Sequence, residues 1–118
     1  MTDTAACGAV NTTDFGLPTT AIKALQGVLR QYPHVTQATV YGSRAKGNFR
    51  PGSDIDLTLD GPELTFAEVI NISTALDDLM LPWKVDLSLR ASIDNPELLE
   101  HIQRVGNPLW IRNDILPQ

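Results

Sequence analysis

The chain has 118 residues, of which 42% are hydrophobic and 19% are charged, a composition that suits one compact domain and leaves too little length for two. Its net charge of −5 argues against general nucleic-acid binding, which normally uses a basic face. No stretch approaches the roughly 20 apolar residues that cross a membrane, and the first residues lack the basic and apolar segments of a secretory signal. The single cysteine, Cys7, cannot form an intrachain disulfide, so we expect a protein of the reducing cytoplasm.

The amino-terminal part of the chain predicts a flexible arm, a helix and a strand. Residues 1–17 are small, polar and aperiodic, and we expect them to form the arm, with the folded domain over residues 18–118. A helix should begin at Thr19 or Thr20, either of which can cap it, and should end at the next proline. The β-branched run over residues 35–41 predicts the first strand.

The remaining elements follow from alternating and helical patterns of apolar residues. They are a glycine-rich loop with room for one helical turn over residues 42–53, a strand over 54–59, a helix over 65–80, a strand over 83–89, a helix over 96–105 and an edge strand at 109–111. The predicted apolar face of the helix over 65–80 comprises Phe66, Val69, Ile70, Ser73, Leu76 and Met80. This order predicts an α/β (α+β) fold, a small mixed sheet of three to four strands packed with about three helices.

Three aspartates carry the strongest chemical signal. Asp54 and Asp56 are two residues apart in a predicted strand, so both side chains leave the same face, with Cα atoms about 7 Å apart. Asp86 lies in the middle of the next alternating strand and reaches the same face if the two strands are neighbours. Converging carboxylates bind Mg²⁺, and three of them can hold two ions about 3.5–4 Å apart for phosphoryl-group displacement. The hypothesis fails if Asp86 lies on the opposite side of the sheet.

A cationic glycine loop precedes these carboxylates. Gly42 lets the backbone approach a ligand, and Ser43 offers a hydroxyl and a backbone N–H group. Arg44 and Lys46 add positive charge and are candidates for nucleotide binding, although a solvated loop also explains them. A triphosphate could approach three carboxylates only with such donors and divalent cations, because anions repel one another.

Taken singly, these features have ordinary structural explanations, since Asp-x-Asp pairs occur in turns and Gly-Ser pairs often follow strands. We expect His34 and His101 to be structural rather than catalytic or metal-binding, and Asp60 to form a turn before Gly61. Trp83 and Trp110 are expected to pack on the core, and an exposed Trp110 would instead suit a partner interface.

The combined pattern resembles a known signature. Gly42-Ser43, ten intervening residues and then Asp54-x-Asp56 resemble the signature of the DNA polymerase β-like nucleotidyltransferase superfamily. The fuller string Gly-Ser-Arg-Ala-Lys-Gly…Ser-Asp-Ile-Asp-Leu, and the segment over residues 81–87 around the third aspartate, resemble its minimal nucleotidyltransferase (MNT) branch. The resemblance spans about residues 20–112.

This resemblance implies a nucleotidyltransferase fold and a set of site residues. Gly42 and Ser43 would hold the triphosphate, Asp54 and Asp56 would bind two Mg²⁺ ions, and Asp86 would complete the metal site and help to deprotonate the acceptor.

The resemblance also implies a function: transfer of a nucleoside monophosphate from a nucleoside triphosphate, with ATP favoured, to a hydroxyl of a partner protein. Small members often pair with a helical HEPN-domain protein as the antitoxin of a toxin–antitoxin module. A second chain, the same or different, would complete the cleft. Two alternatives stay open: a small-molecule acceptor such as an aminoglycoside, and a non-catalytic module that binds nucleotide and neutralises a toxin by contact.

Overall fold

The protein is described by a computed structural model over residues 15–50 and 52–112, so Cys7 and most of the predicted arm lie outside the described residues. Within these ranges four helices and four strands follow one another. They are α1 (Thr19–Arg30), β1 (Gln37–Tyr41), α2 (Ser43–Lys46), β2 (Ile55–Asp60), α3 (Phe66–Asp77), β3 (Val85–Leu89), α4 (Pro96–Val105) and β4 (Asn107–Ile111). None of the helices in the described ranges is long and apolar enough to span a bilayer.

The four strands form one mixed sheet in the order β3-β2-β1-β4. Strand β1 pairs antiparallel with β2 and with β4, whereas β2 and β3 are parallel. The predicted α/β (α+β) fold with a small mixed sheet is therefore confirmed, with four helices instead of about three. The extra helix is α2, the helical turn for which the glycine-rich loop had room.

The two faces of the sheet differ in polarity because side chains alternate along each strand. On one face the central strands bury apolar residues that lie beside one another in the register, namely Ala38, Val40, Ile55, Leu57 and Leu59. Helices α1 and α3 contact each other and belong with this face to one core cluster. Helix α4 contacts β1, and its end lies against the other face, where a Cβ on Gly106 would meet Thr39 Cγ2 at 2.8 Å.

The buried face of α3 differs from the prediction. The helix buries Val69, Ile72 and Leu76, whereas Phe66 and Ile70 are 64% and 53% exposed. Met80 lies beyond the end of the helix and is 85% exposed. The helix carries two apolar stripes, and periodicity alone could not show which of them would face the sheet.

The predicted arm was too long at its carboxyl end. Phe15 and Leu17 are 7% and 2% exposed and belong to the core cluster. Gly16 between them has a φ of 73° and packs against the ring of Phe49. The folded domain therefore includes at least the three residues before the predicted boundary at residue 18, because the side chains of Phe15 and Leu17 are buried in the core.

Two helices begin at capping residues. The Thr65 hydroxyl accepts from the backbone N–H of Glu68 at 3.2 Å, and the Glu68 carboxylate accepts from the Thr65 N–H at 3.0 Å, which closes a capping box on α3. Asn95 caps α4, where its side-chain oxygen accepts from the backbone N–H groups of Glu97 and Leu98. Helix α1 begins after Pro18, so the two threonines predicted as its caps lie within its first turn.

The capping box gives a stability prediction. We expect Thr65→Ala to lower the free energy of unfolding by about 1 kcal/mol, because the first turn of α3 loses its side-chain acceptor. Thr74→Ala is the matched control: Thr74 is an exposed residue of the same helix, and its replacement should change stability by less than about 0.5 kcal/mol. Urea unfolding of both variants measures the difference, and equal losses would contradict a capping role.

Candidate active site

The predicted carboxylates lie on the polar face of the sheet. Asp56 on β2 is the register partner of Asp86 on β3, and Tyr41 on β1 is the register partner of Asp56. Register partners on neighbouring strands project from the same face, with Cα atoms about 5 Å apart. Asp86 is therefore on the same side of the sheet as Asp56, which is the condition that the sequence hypothesis required.

Asp54 lies one residue before β2 and two residues before Asp56. The intervening Ile55 is buried in the core, so alternation directs the two aspartates away from the core. Asp54 and Asp86 are exposed, and Asp56 is half-buried between them.

Negative charge is concentrated around Asp56. Burial raises the pKa of the Asp56 carboxyl, and the charges of Asp86 and Asp54 raise it further, while His101 has the opposite, smaller effect. Burial also raises the pKa of Tyr41, and the charges of the neighbouring Asp56 and Asp86 add to this rise. The phenol therefore stays neutral beside the aspartates.

The donor set fits Mg²⁺ in chemistry. Among residues 15–50 and 52–112, no group of three His, Cys, Asp or Glu side chains is already arranged to hold a metal ion. The three aspartates nevertheless offer only carboxylate oxygens, the ligands that Mg²⁺ prefers. Because Asp54 and Asp86 are exposed, their side chains can rotate towards a shared cation without disturbing the core.

The glycine–serine turn lies directly against this carboxylate row. Gly42 follows β1 with a φ of 76° and a ψ of −154°, a conformation that L residues rarely adopt. A Cβ at this position would collide with Oδ2 of Asp56. Helix α2 begins at Ser43, and the Lys46 N–H donates to the Gly42 carbonyl at 3.1 Å. The structure thus brings Gly42 and Ser43 next to Asp56.

Arg44 is buried and directs two of its donors into the protein. Its side chain is 2% exposed, Nε donates to the Ser53 carbonyl at 3.0 Å, and Nη1 donates to the Phe15 carbonyl at 2.8 Å. The guanidinium also lies 4.8 Å from the ring centroid of Phe49 and 5.7 Å from that of Trp83. Because these donors face the protein, we assign Arg44 to holding the loop that ends next to Asp54.

Lys46 differs from Arg44 although both were predicted as nucleotide-binding cations. It is exposed at the end of α2, where its side chain can reach solvent or a bound anion. Lys46 therefore remains the cationic candidate of this loop.

Sequence reasoning missed His101. The Gly42 N–H donates to His101 Nε2 at 3.2 Å, and the imidazole meets the Tyr41 ring edge-on, with centroids 6.3 Å apart. No local pattern could have revealed this contact, because 59 residues separate His101 from Gly42.

The other residues singled out from the sequence lie elsewhere. His34 contacts Glu68 through Nδ1 at 2.8 Å, on the turn that leads into the opposite end of β1. Asp60 is the last residue of β2, not part of a turn, and pairs with Arg90 at 3.6 Å. Trp83 and Trp110 are half-buried and pack against the core, as predicted.

Buried hydrogen bonds of Arg44 give a second prediction. We expect Arg44→Met to destabilise the fold by about 2 kcal/mol or more, because it leaves two carbonyl oxygens without these donors. Lys46→Met is the matched control in the same short helix, and because Lys46 is exposed the change should stay within about 0.5 kcal/mol. Unfolding in guanidinium chloride measures the free energy of unfolding of both variants. A loss confined to the lysine variant would refute the structural role of Arg44.

Crowding around Asp56 gives a third prediction. In the folded protein the pKa of the Asp56 carboxyl is raised above the unfolded value of 3.8. The free energy of unfolding therefore falls as the pH rises through the folded pKa. We therefore expect Asp56→Asn to have a higher Tm than the wild type at neutral pH, with a gain that shrinks as the pH approaches about 4.

Thermal unfolding across this pH range tests the effect, with Asp77→Asn as the control, because Asp77 is an exposed acid at the end of α3. A lower Tm for Asp56→Asn than for the wild type at neutral pH would show that the charged Asp56 carboxylate does not destabilise the fold.

Comparisons with known proteins identify the family of this chain. The family model described as polymerase beta, nucleotidyltransferase, matches residues 23–115. A search of curated proteins finds no match to the chain.

Solved structures share the fold at low identity. A chain in a crystal structure of a toxin–antitoxin with AMP-PNP has a TM-score of 0.64 and 21% identity, over 80% of this chain and 76% of that chain. A chain of the toxin–antitoxin MntA-HepT has a TM-score of 0.60 and 18% identity, over 83% of this chain and 76% of that chain.

A third match is a chain in a structure of the tri-AMPylated Shewanella oneidensis HEPN toxin in complex with an MNT antitoxin. It has a TM-score of 0.59 and 18% identity, over 81% of this chain and 74% of that chain. These likenesses establish the fold. Because the family model covers most of the sequence, the chain belongs to the polymerase β nucleotidyltransferase family.

Proposed function

We propose that this chain is a Mg²⁺-dependent nucleotidyltransferase that moves a nucleoside monophosphate, with ATP the favoured donor, to a hydroxyl of a partner protein. The observation that carries this proposal is the register of β2 and β3, which aligns Asp56 with Asp86 on one sheet face, beside Gly42. Family membership supplies the reaction class, and the exposed carboxylates supply a surface on which it could occur.

Each site residue has a role that follows from its position. Asp54, Asp56 and Asp86 would hold the ions, and Mg²⁺ when bound would neutralise the charge of the triphosphate and of the carboxylates. The turn at Gly42 and Ser43 would receive the triphosphate, because Gly42 has no Cβ and lets the backbone approach a ligand there. Exposed Lys46 would add positive charge at the edge of the site.

The transfer itself is a displacement at the α-phosphorus. The acceptor hydroxyl oxygen forms a bond to that phosphorus while the bond to the bridging oxygen breaks, and pyrophosphate leaves. The hydroxyl proton passes to Asp86, which is exposed on the edge strand β3 and so faces an acceptor that arrives from solvent. The rate would depend on positioning and on charge compensation.

Two observations favour a protein acceptor of the HEPN class. Helix α4 contacts the polar face at β1, and Asp54 and Asp86 remain exposed within the described residues, so the acceptor side of the site is open. A structure with the same fold contains a tri-AMPylated HEPN toxin in complex with an MNT antitoxin. By this proposal the chain would act in the cytoplasm as the antitoxin of such a pair.

The transfer can be tested directly. The purified chain is mixed with Mg²⁺, ATP labelled at the α-phosphate and a HEPN-domain protein encoded beside its gene, and covalent label on that protein is measured. We expect Asp54→Asn and Asp86→Asn to lower the rate at least about 10²-fold, because metal-assisted charge stabilisation contributes several kcal/mol. Asp77→Asn, which removes an exposed acid from α3, should keep the wild-type rate.

Other results would redirect the proposal. Label on an aminoglycoside and none on the protein would indicate a small-molecule acceptor. Neutralisation of the toxin by the wild type and by both aspartate variants, with no covalent label, would show that the chain acts by contact alone.

A further inference from the structure

His101 makes one hydrogen bond whose direction is fixed by chemistry. A backbone N–H can only donate, so the Gly42 N–H, 3.2 Å from Nε2, requires a lone pair on that nitrogen. The Gly42 N–H therefore already has an acceptor, and within the turn the donors left for a triphosphate begin at Ser43.

The bond acts on the most adaptable residue of the turn. Glycine populates positive and negative φ with similar ease, so the observed φ of 76° at Gly42 is not enforced by the residue itself. The Asp56 carboxylate packs against the Cα of Gly42 on one side, and His101 holds its amide. Together these contacts select one orientation of the peptide that leads into Ser43.

Helix α4 is well placed to serve as the anchor. The His101 ring contacts the ring of Tyr41, the residue that precedes Gly42, at an interplanar angle of 80°. At the end of the helix, the Gly106 N–H donates to the Ile102 carbonyl at 2.7 Å, and Gly106 packs closely against Thr39. The helix is thus located against β1 at two points, which fixes the height of the imidazole above the strand end.

We propose that His101 is a positioning residue for the nucleoside triphosphate: Nε2 anchors the Gly42 amide and thereby sets the glycine–serine turn beside Asp56. This inference rests on the proposed function. His101 does not touch the reacting atoms by this account, and its effect passes through Gly42. Replacement of His101 should therefore weaken binding of the triphosphate and leave binding of the acceptor protein unchanged.

Three substitutions separate this role from general packing. In His101→Gln the side-chain amide oxygen can reach the place of Nε2 and accept from Gly42. In His101→Asn the side chain is one methylene shorter and its oxygen falls short. His101→Ala removes the group. We expect the alanine and asparagine variants to raise the KM for the triphosphate about tenfold, the size expected for the loss of one hydrogen bond. The glutamine variant should stay within about threefold of the wild type, because it retains an acceptor.

A second readout does not depend on activity. Amide hydrogen exchange at Gly42, followed by NMR, should be slow in the wild type and in His101→Gln and faster in the alanine and asparagine variants. The KM for the acceptor protein should be the same in all four proteins. A glutamine variant with a slowly exchanging Gly42 amide but an alanine-like KM for triphosphate would overturn the inference, as would unchanged exchange in His101→Ala.

Failure of the proposed function is distinguishable from failure of this inference. If the wild type transfers no label, the proposed activity is wrong, and His101 is then judged by the Kd for ATP with Mg²⁺ and by the Gly42 exchange rates. A wild type that neither transfers label nor binds ATP overturns both.

Discussion

The parallel pairing of β2 with β3 is the constraint on which the site depends. On the core face, Leu57 lies beside Leu87, and the same pairing sets Asp56 beside Asp86 on the polar face. A slip of one residue in β3 would turn its aspartate into the core and its leucine out to solvent. The burial of apolar side chains on the core face therefore determines where Asp56 and Asp86 lie on the opposite face of the sheet.

This arrangement places a cost at the centre of the site. Asp56 is half-buried and flanked by two other carboxylates, which raises its pKa and opposes the charged form. The fold tolerates the repulsion because the apolar partners behind it are fully buried, with Ile55, Leu57 and Leu59 each 0% exposed. The stability that the buried core provides thus offsets the repulsion among the three carboxylates, which a cation-dependent reaction would require to lie close together.

Local patterns were sufficient for the features that lie close together in the chain. Alternation identified the central strands and separated Asp56 from the buried Ile55 and Leu57, because both depend on the period of a single strand. The position of Asp86 required only that two alternating strands be neighbours.

Tertiary contacts account for what the sequence could not predict. The partners of Arg44 are carbonyl oxygens, which leave no trace in the side-chain pattern, and one of them belongs to Phe15, within the segment assigned to the arm. The exposed stripe of α3 and the contact of His101 with Gly42 likewise depend on how distant elements dock. A cationic loop in a sequence therefore does not reveal which cation is exposed and which is buried in the protein.

The burial of Arg44 has a consequence for how freely the neighbouring positions can vary. Its two acceptors are main-chain oxygens of Phe15 and Ser53, and every amino acid carries such an oxygen. As far as these bonds are concerned, either neighbour can be exchanged without loss, whereas no other side chain can supply the forked, permanently charged donor. Tolerance for mutation therefore differs between the two sides of these hydrogen bonds. No other residue can replace Arg44 as the donor, whereas any residue at position 15 or 53 can supply the carbonyl acceptor.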